Sequence, residues 1–283
     1  MKIERSIQMR YTVQSGKYVF KNILYIFPLA VVPAFFLALS TDPAALKSVL
    51  QSFFNGAISE WKFGDLFSAV SVLNFNGWNS MFGFIGLVAL MVCVSMLTAL
   101  MEKHMRFGKR TFNGLFSKLN DNLLATCGYG LLLIAIYELW ALIMAALLLA
   151  VSCIPLVWLA CAFSFIVMIM MHFALLYCVG LIYLWLPCMH ITGFPAAEAL
   201  QYSNQLSKPA KWRILLSQTV FLFAVETLIF LSVLLTGEFT FTIVSTILYA
   251  FLIMIYCVRM QVVYFDLDGI ERRDLRKYYQ HTR

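Results

Sequence analysis

Charged side chains are scarce in this sequence. Only 12% of its 283 residues are Asp, Glu, Lys or Arg, whereas a soluble globular domain carries about 25%. Hydrophobic residues make up 62% of the chain, and the mean hydropathy is +0.83. One globular core cannot cover so many apolar side chains. The composition therefore excludes an ordinary soluble domain and indicates a protein that uses lipid as its solvent.

Short motifs of catalytic or metal-binding chemistry are also lacking. The seven cysteines form no Cys-x-x-Cys pair and no Cys/His spacing typical of a zinc site. The sequence also has no His-Glu-x-x-His, no Gly-x-Ser-x-Gly and no glycine-rich phosphate loop. We therefore predict a non-enzymatic protein with no catalytic residues, no metal and no cofactor. Nothing in the sequence points to nucleic acid as a partner.

Six long apolar runs are what the sequence has instead. A membrane-crossing helix needs about 20 mainly apolar residues, and the runs are continuous rather than alternating as in barrel strands. We predict an all-α, polytopic transmembrane bundle over residues 23–264, after a basic lead (1–22) and before a charged tail (265–283). The predicted spans are 23–40, 80–100, 123–151, 156–188, 214–235 and 241–258. The fourth is long for one crossing, so it should tilt, kink or protrude.

Basic residues are distributed unevenly between the loops. With a cytoplasmic N-terminus, 19 of the 21 Lys and Arg residues fall on the cytoplasmic side, and only Lys47 and Lys62 fall outside. Lysine and arginine are retained on the cytoplasmic side of membranes. The pattern predicts an even number of spans with both termini cytoplasmic. The first run, from Ile23, is too long for a cleaved signal peptide, so we expect it to stay as an anchor.

The longest outer segment, 41–79, has the pattern of two short helices. Asp42 followed by Pro43 is typical of an N-cap with proline at the first helical position. A second short helix is expected from Asp65 to Leu73. We expect both helices to lie on the membrane surface or to cap the bundle.

A cytoplasmic loop also carries a helical pattern. Pro195 can open a helix and Pro209 can close it. Small and apolar residues between these prolines share one face. The sequence predicts an amphipathic helix over 195–208 that lies at the inner membrane interface.

The second half of the chain has an order of motifs that is similar to a known family. The fourth span ends in Leu186-Pro187, and EALQYSNQLSK and a Lys/Trp/Arg-bearing start of the next span follow. After the last span comes VVYFDLDGIERRDLRKYY. Over about residues 181–279 this order resembles the YciC-like proteins and the membrane domain attached to some bacterial glycerophosphodiester phosphodiesterases. The resemblance implies a six-helix module of the bacterial cytoplasmic (inner) membrane, with no catalytic residues to carry over.

Three ionisable residues lie near the middle of predicted spans: Glu138, His172 and Glu226. Charge at that depth is costly, and such residues usually face the bundle interior or a wet cavity. In one interpretation the glutamates are neutral or hydrogen-bonded packing elements. In the other, the three residues converge on a midplane site for a cation, a proton or a lipid headgroup. Possible hydrogen-bond donors to the glutamates are Tyr137, Trp140, Gln218 and Thr227.

The basic cytoplasmic face predicts contact with anionic lipid headgroups, and membrane lipids are therefore the expected partners. The candidate headgroup contacts are Lys103, Arg106, Lys109, Arg110, Lys211, Arg213 and Arg259. Two functions stay open at this point. The first is an accessory or structural role in the bacterial cell envelope. The alternative is a transporter or lipid-handling protein that uses the midplane residues.

Overall fold

The computed structural model describes residues 2–73 and 78–275, without the side chains of residues 2–10, 213 and 217. Within these residues the chain is helical and contains no strand. The α-helices are α1 (Lys2–Ser40), α2 (Pro43–Phe54), α3 (Phe63–Val70), α4 (Trp78–Phe107), α5 (Leu115–Ser152), α6 (Val157–Leu181), α7 (Trp185–Thr192), α8 (Ala196–Ser207), α9 (Lys211–Leu235) and α10 (Glu238–Leu267). Short 3-10 turns lie at Ile58–Glu60, Lys208–Ala210 and Arg273–Leu275.

Six helical segments are long and apolar enough to cross a membrane, which confirms the all-α, six-span membrane bundle. They are Tyr11–Ser40, Trp78–Phe107, Leu115–Ser152, Val157–Thr192, Ile214–Leu235 and Glu238–Leu267. Helices α1 and α10 pack against each other, and the Tyr11 hydroxyl near the start of α1 donates to Asp266 near the end of α10. The chain therefore starts and finishes at one end of the bundle. We call this the termini end and the opposite end the far end.

The structure corrects the prediction of a separate basic lead over residues 1–22. Helix α1 continues through that boundary, with non-helical backbone geometry only at Asn22. Tyr11, Tyr18 and Val19 are buried in the main core of the bundle. The reason is spacing: these residues recur on one helical face between the basic residues, so a stretch that is polar on average still buries a stripe.

The helix of the sixth span, α10, also extends further than predicted. It does not end near residue 258 but continues to Leu267, and every residue from 257 to 265 is buried. At 30 residues the helix is about 45 Å long, more than the roughly 30 Å of a hydrocarbon core. Helix α1 packs against α10, and its Tyr11 contacts Asp266 near the end of the extension. Arg259 therefore lies inside the bundle rather than at its edge.

The fourth span is broken, as its length suggested. Helix α6 ends at Leu181 and α7 begins at Trp185. The cause is Pro187, which lacks an N–H and whose ring clashes with the carbonyl four residues earlier, that of Tyr183. The break leaves the Tyr183 side chain fully buried at the junction of the two helices.

Helix α2 begins at the N-cap that the sequence indicates. One carboxylate oxygen of Asp42 accepts hydrogen bonds from the backbone N–H groups of Ala44 and Ala45, both at 3.0 Å. Leu46 of α2 then packs with Val225 of α9 in a small cluster of its own. The first half of the outer segment is therefore docked on the bundle.

Helix α3 completes this cap at the far end. It occupies residues 63–70, close to the helix expected over 65–73, and residues 74–77 of the outer segment lie outside the described part. Leu66 is fully buried and packs in one cluster with Trp140 and Met144 of α5. The segment 41–73 thus covers the bundle, one of the two placements the sequence allowed.

The loop between the fourth and fifth spans forms α8, close to the predicted range 195–208. Its buried face consists of Ala199, Ser203 and Ser207. These small side chains let the helix approach the bundle closely, while the remaining residues of α8 are exposed or half-buried.

Helix α8 is tied to the end of α10 by hydrogen bonds. The Tyr202 hydroxyl donates to Asp268, and the Tyr264 hydroxyl donates to the second oxygen of the same carboxylate at 3.1 Å. The bond to Asp268 raises the pKa of Tyr202 to about 12, so this phenol is a protonated donor at neutral pH. Further along the tail, Arg272 and Asp274 form an ion pair at 2.8 Å. Residues 276–283 of the predicted tail lie outside the described part.

Candidate functional site

A cavity lies between α5 and the pair α9 and α10. Helix α5 packs against α4 on one side and α6 on the other, whereas its direct contacts with α9 and α10 are few. Helix α10 packs mainly against α1 and α9. Space remains where the side chains of α5 fail to meet those of α9 and α10.

The cavity has a volume of about 350 Å³ and is partly open at the surface of the bundle. Its middle is lined by side chains without polar atoms, apart from methionine sulfur. These include Leu87, Leu90, Met91, Val94, Leu133, Ile134, Leu175, Leu176, Val179, Phe221, Leu222, Leu252 and Ile253. Small-molecule sites in proteins occupy about 300 to 1,000 Å³ and are mostly apolar with a few placed polar groups. The volume and lining of this cavity fit that description.

The polar groups of the cavity lie at its two ends. Arg259 and Gln218 line it toward the termini end, and both are buried, with exposed fractions of 2% and 3%. The Nε of Arg259 donates to the Tyr183 hydroxyl at 3.3 Å. The Gln218 amide lies beside the same Tyr183 hydroxyl, but neither of its polar atoms has a partner that meets hydrogen-bond geometry. A buried amide without a well-formed hydrogen bond is costly, so this end of the cavity holds polar groups that a ligand could satisfy.

Hydroxyl groups border the same end. The phenols of Tyr129 and Tyr256 hydrogen-bond each other at 2.8 Å, and both residues line the cavity. Thr126, a further lining residue, contacts the Nε2 of His190 at 3.1 Å. The Nδ1 of His190 contacts Thr98 at 3.3 Å. The imidazole therefore bridges α4 and α5 behind the cavity wall.

Glu138 lies at the other end of the cavity, which it helps to line. Its carboxylate accepts three hydrogen bonds from the residues that follow α3. The donors are the Ser71 hydroxyl at 2.7 Å and the backbone N–H groups of Val72 and Leu73 at 3.0 and 3.1 Å. A carboxylate with three donors holds its oxygens in a fixed arrangement. Glu138 thus joins the cap to the middle of α5.

His172 and Glu226 form a separate pair. The Nδ1 of His172 lies 2.7 Å from the Met168 carbonyl oxygen, and because a carbonyl can only accept, Nδ1 carries a proton. The Nε2 lies 3.1 and 3.0 Å from the two oxygens of Glu226, and that contact needs one more proton, on either partner. Both arrangements, imidazole with carboxylic acid or imidazolium with carboxylate, are neutral overall.

Aromatic rings flank the histidine of this pair. The His172 ring lies between Trp140 and Phe223, with ring centroids 5.2 and 5.3 Å away. Neither His172 nor Glu226 lines the cavity. A neutral pair that joins α6 to α9 fits the packing interpretation of these residues.

The three residues expected at one midplane site thus have different surroundings. His172 and Glu226 contact each other, whereas the hydrogen bonds of Glu138 go to the cap. The expected donors to the glutamates bind elsewhere: Tyr137 to the Val70 carbonyl, Trp140 to the Met171 carbonyl and Thr227 to the Phe223 carbonyl. Each of these side chains donates to a backbone carbonyl oxygen rather than to a glutamate.

Most candidate headgroup contacts lie at the termini end. Lys103 donates to the Asn113 carbonyl at 2.6 Å, and Arg106 pairs with the buried Glu102 at 3.3 Å. Lys109 is exposed. These residues present positive charge where α4 ends, and their contact with headgroups stays a prediction.

The remaining candidates divide three ways. Arg110 donates through Nε to His104 at 3.0 Å, and Lys211 lies over the Tyr177 ring at 4.2 Å, so both stay near the surface of the termini end. The side chain of Arg213 lies outside the described part. Arg259 is only 2% exposed, so the structure places it inside the bundle and not at the bilayer surface where the headgroup prediction put it.

Sequence reasoning missed the cavity end formed by Arg259, Gln218 and Tyr183. One signal was present: apolar residues continue after Arg259 as Val262, Val263 and Tyr264, so the basic residue does not mark the end of the span.

Across the residues the structure describes, no group of three His, Cys, Asp or Glu side chains could hold a metal ion.

Comparison with known proteins adds no relative to this description. No protein-family model, curated protein or solved structure matches the chain. The resemblance to the YciC-like proteins therefore stays a prediction from the sequence.

Proposed function

We propose that this integral membrane protein handles lipids by holding a single-chain amphiphile in the cavity beside α5, without catalysing a reaction. The cavity carries the proposal. It is an apolar space of about 350 Å³ inside a membrane bundle, with polar side chains only at its ends. The volume is near the lower limit of small-molecule sites, which favours one chain over a two-chain phospholipid.

The open side of the cavity supports entry from the bilayer. The cavity is partly open at the bundle surface, and its lining belongs to helices that are apolar enough to cross a membrane. An apolar molecule that enters there exchanges one apolar surrounding for another. Its binding then depends on shape and on the polar groups at the ends.

The proposed site is not the midplane site of Glu138, His172 and Glu226. The His172–Glu226 pair is neutral and does not line the cavity, so it stabilises the contact of α6 with α9 in this proposal. Glu138 contributes one end of the cavity and holds the cap. Lipid handling is kept from the sequence prediction, while the residues that carry it are different.

The location is part of the same proposal. We place the protein in a bacterial cytoplasmic membrane, with the termini end facing the cytoplasm. The uneven distribution of basic residues and the resemblance of residues 181–279 support this. The exposed basic residues at the end of α4 would then contact anionic headgroups of the inner leaflet.

Photolabelling of the purified protein tests the proposed function. The probe is octadecanol with a photoactivatable diazirine in mid-chain, added to the protein in phosphatidylcholine nanodiscs. We expect saturable labelling of cavity residues such as Met91 and Ile253. Leu133→Trp should abolish it, because the indole would fill the middle of the cavity.

A matched control lies two residues away on the same helix. Leu131 is 61% exposed and does not line the cavity, so Leu131→Trp should leave the labelling unchanged. Labelling that does not saturate, or that both tryptophan variants leave unchanged, would overturn the proposed function.

A further inference from the structure

We infer that the cavity selects an anionic amphiphile, whose carboxylate or phosphate headgroup binds Arg259 and Gln218 while its chain extends toward Glu138. The inference rests on the proposed function and adds the chemical class and direction of the ligand. It begins from two polar side chains that are buried in a membrane bundle and line the same end of the same cavity.

Arg259 supplies the charge. A cation inside a membrane protein is costly and usually marks a functional position. The guanidinium presents its donors in a planar fork that matches carboxylate and phosphate oxygens. Its Nε is oriented by the Tyr183 hydroxyl at 3.3 Å, and Tyr183 is itself fixed by the helix break before Pro187. The arginine is thus held in place at the cavity wall.

Gln218 supplies an independent sign of a missing ligand. Its side chain is 97% buried and lines the cavity beside the Tyr183 hydroxyl, and neither amide atom has a partner that meets hydrogen-bond geometry. Buried amides in native proteins are normally paired. An anionic headgroup beside Arg259 would accept from the Gln218 amide N–H and remove that cost.

Charge at the opposite end sets the direction. Glu138 lines the far end of the cavity, about 18 Å along α5 from Thr126 at the other end, at 1.5 Å per helical residue. A negative headgroup would be repelled there, whereas the apolar middle suits a hydrocarbon chain. The distribution of charge therefore places the headgroup at the termini end.

Competition against the octadecanol photoprobe tests the inference. The competitors are oleate, oleoyl lysophosphatidate and oleyl alcohol, which share a chain and differ in headgroup, in phosphatidylcholine nanodiscs at neutral pH. At least one anion should compete at a concentration about tenfold or more below that of the alcohol, as charge-assisted hydrogen bonds would give. Whichever anion competes better identifies carboxylate or phosphate as the source.

Variants separate the headgroup contact from the cavity. Arg259→Gln should remove the advantage of the anions while oleyl alcohol competes as before, and Arg259→Lys should retain part of it. If Arg259→Gln does not fold, Gln218→Leu serves instead, because it removes the amide that would donate to the headgroup and should reduce the advantage of the anions several-fold.

Equal competition by anions and alcohol in the unchanged protein would overturn the inference and leave the proposed function standing. The inference would also be overturned if the advantage of the anions survived both Arg259→Gln and Gln218→Leu. Failure of the proposed function would give a different result. None of the three competitors would then displace the probe from a site that Leu133→Trp blocks.

Discussion

Ionisable side chains inside the bundle are stabilised in three different ways. Glu138 accepts three hydrogen bonds from the cap, while His172 and Glu226 contact each other through a proton that either partner can hold. Arg259 is oriented by a phenol at a cavity wall. In the sequence all of these look alike, as isolated charges in apolar runs. Their chemistry differs because the neighbouring helices offer different partners.

The first prediction concerns the His172–Glu226 pair. Glu226→Gln should change the stability little, because the amide N–H can donate to the unprotonated Nε2 while Nδ1 keeps its bond to Met168. Glu226→Ala should lower the free energy of unfolding by about 1–3 kcal/mol, because it leaves Nε2 buried without a partner. Denaturant titration in detergent measures both.

Thr227→Ala is the matched control for this pair. The neighbouring threonine is exposed and bonds only its own helix, at the Phe223 carbonyl, so its loss should have a small effect. If Glu226→Gln destabilised the protein as much as Glu226→Ala, the pair would need a carboxylate, and the neutral shared-proton description would be wrong.

Side-chain partners were the part of the candidate site that the sequence could not supply. Hydropathy placed Glu138, His172 and Glu226 in spans correctly, because depth follows from position along an apolar run. Which residues meet depends on how each helix is rotated about its axis. Gln218 shows the difference: it was considered as a donor to a glutamate, and it lies instead beside Arg259 at the cavity.

At the scale of elements, two features shape the cavity. The break before α7 places Tyr183 against α10. The cap residues that follow α3 donate two backbone N–H groups to Glu138. Both were visible in part from the sequence, since Pro187 stands in a span too long for one crossing. The continuation of α1 before residue 23 was not visible from the sequence. Basic residues lie between the buried residues there, and they lower the average hydropathy of the stretch.

The second prediction concerns the hold of Glu138 on the cap. Glu138→Leu removes the acceptor of three hydrogen bonds, of which two come from the backbone of Val72 and Leu73. Amide hydrogen exchange over residues 63–73 should become about 10- to 100-fold faster, because an unpaired buried N–H costs about 1–3 kcal/mol. Exchange in α10 should not change.

Two further variants make this result specific. Glu138→Gln keeps an acceptor oxygen for the backbone groups and should be close to the unchanged protein. Glu60→Gln alters an exposed glutamate in the same cap and should have no effect. Unchanged exchange in Glu138→Leu would show that apolar packing of Leu66 and its neighbours holds the cap without the carboxylate.

At the scale of the whole molecule, the charge distribution agrees with the fold in one respect that the structure shows. An even number of spans requires the chain to start and finish at one end, and the bond from Tyr11 to Asp266 joins those ends. The loops at that end carry the basic residues. Which side of the membrane the termini end faces rests on the positive-inside rule and stays a prediction.

The third prediction tests that orientation with the native Cys153. This thiol is exposed in the turn between α5 and α6 at the far end, where a thiol-reactive reagent can reach it. In a variant that keeps only Cys153, a membrane-impermeant maleimide should label intact cells. A second variant, with Lys109→Cys as its sole cysteine, presents an exposed thiol at the termini end and should be labelled only after the membrane is permeabilised. The reverse pattern would place the basic face outside. The inner-leaflet headgroup contacts proposed for Lys103, Arg106 and Lys109 would then be wrong. The cavity and its charged ends would keep their place in the bundle.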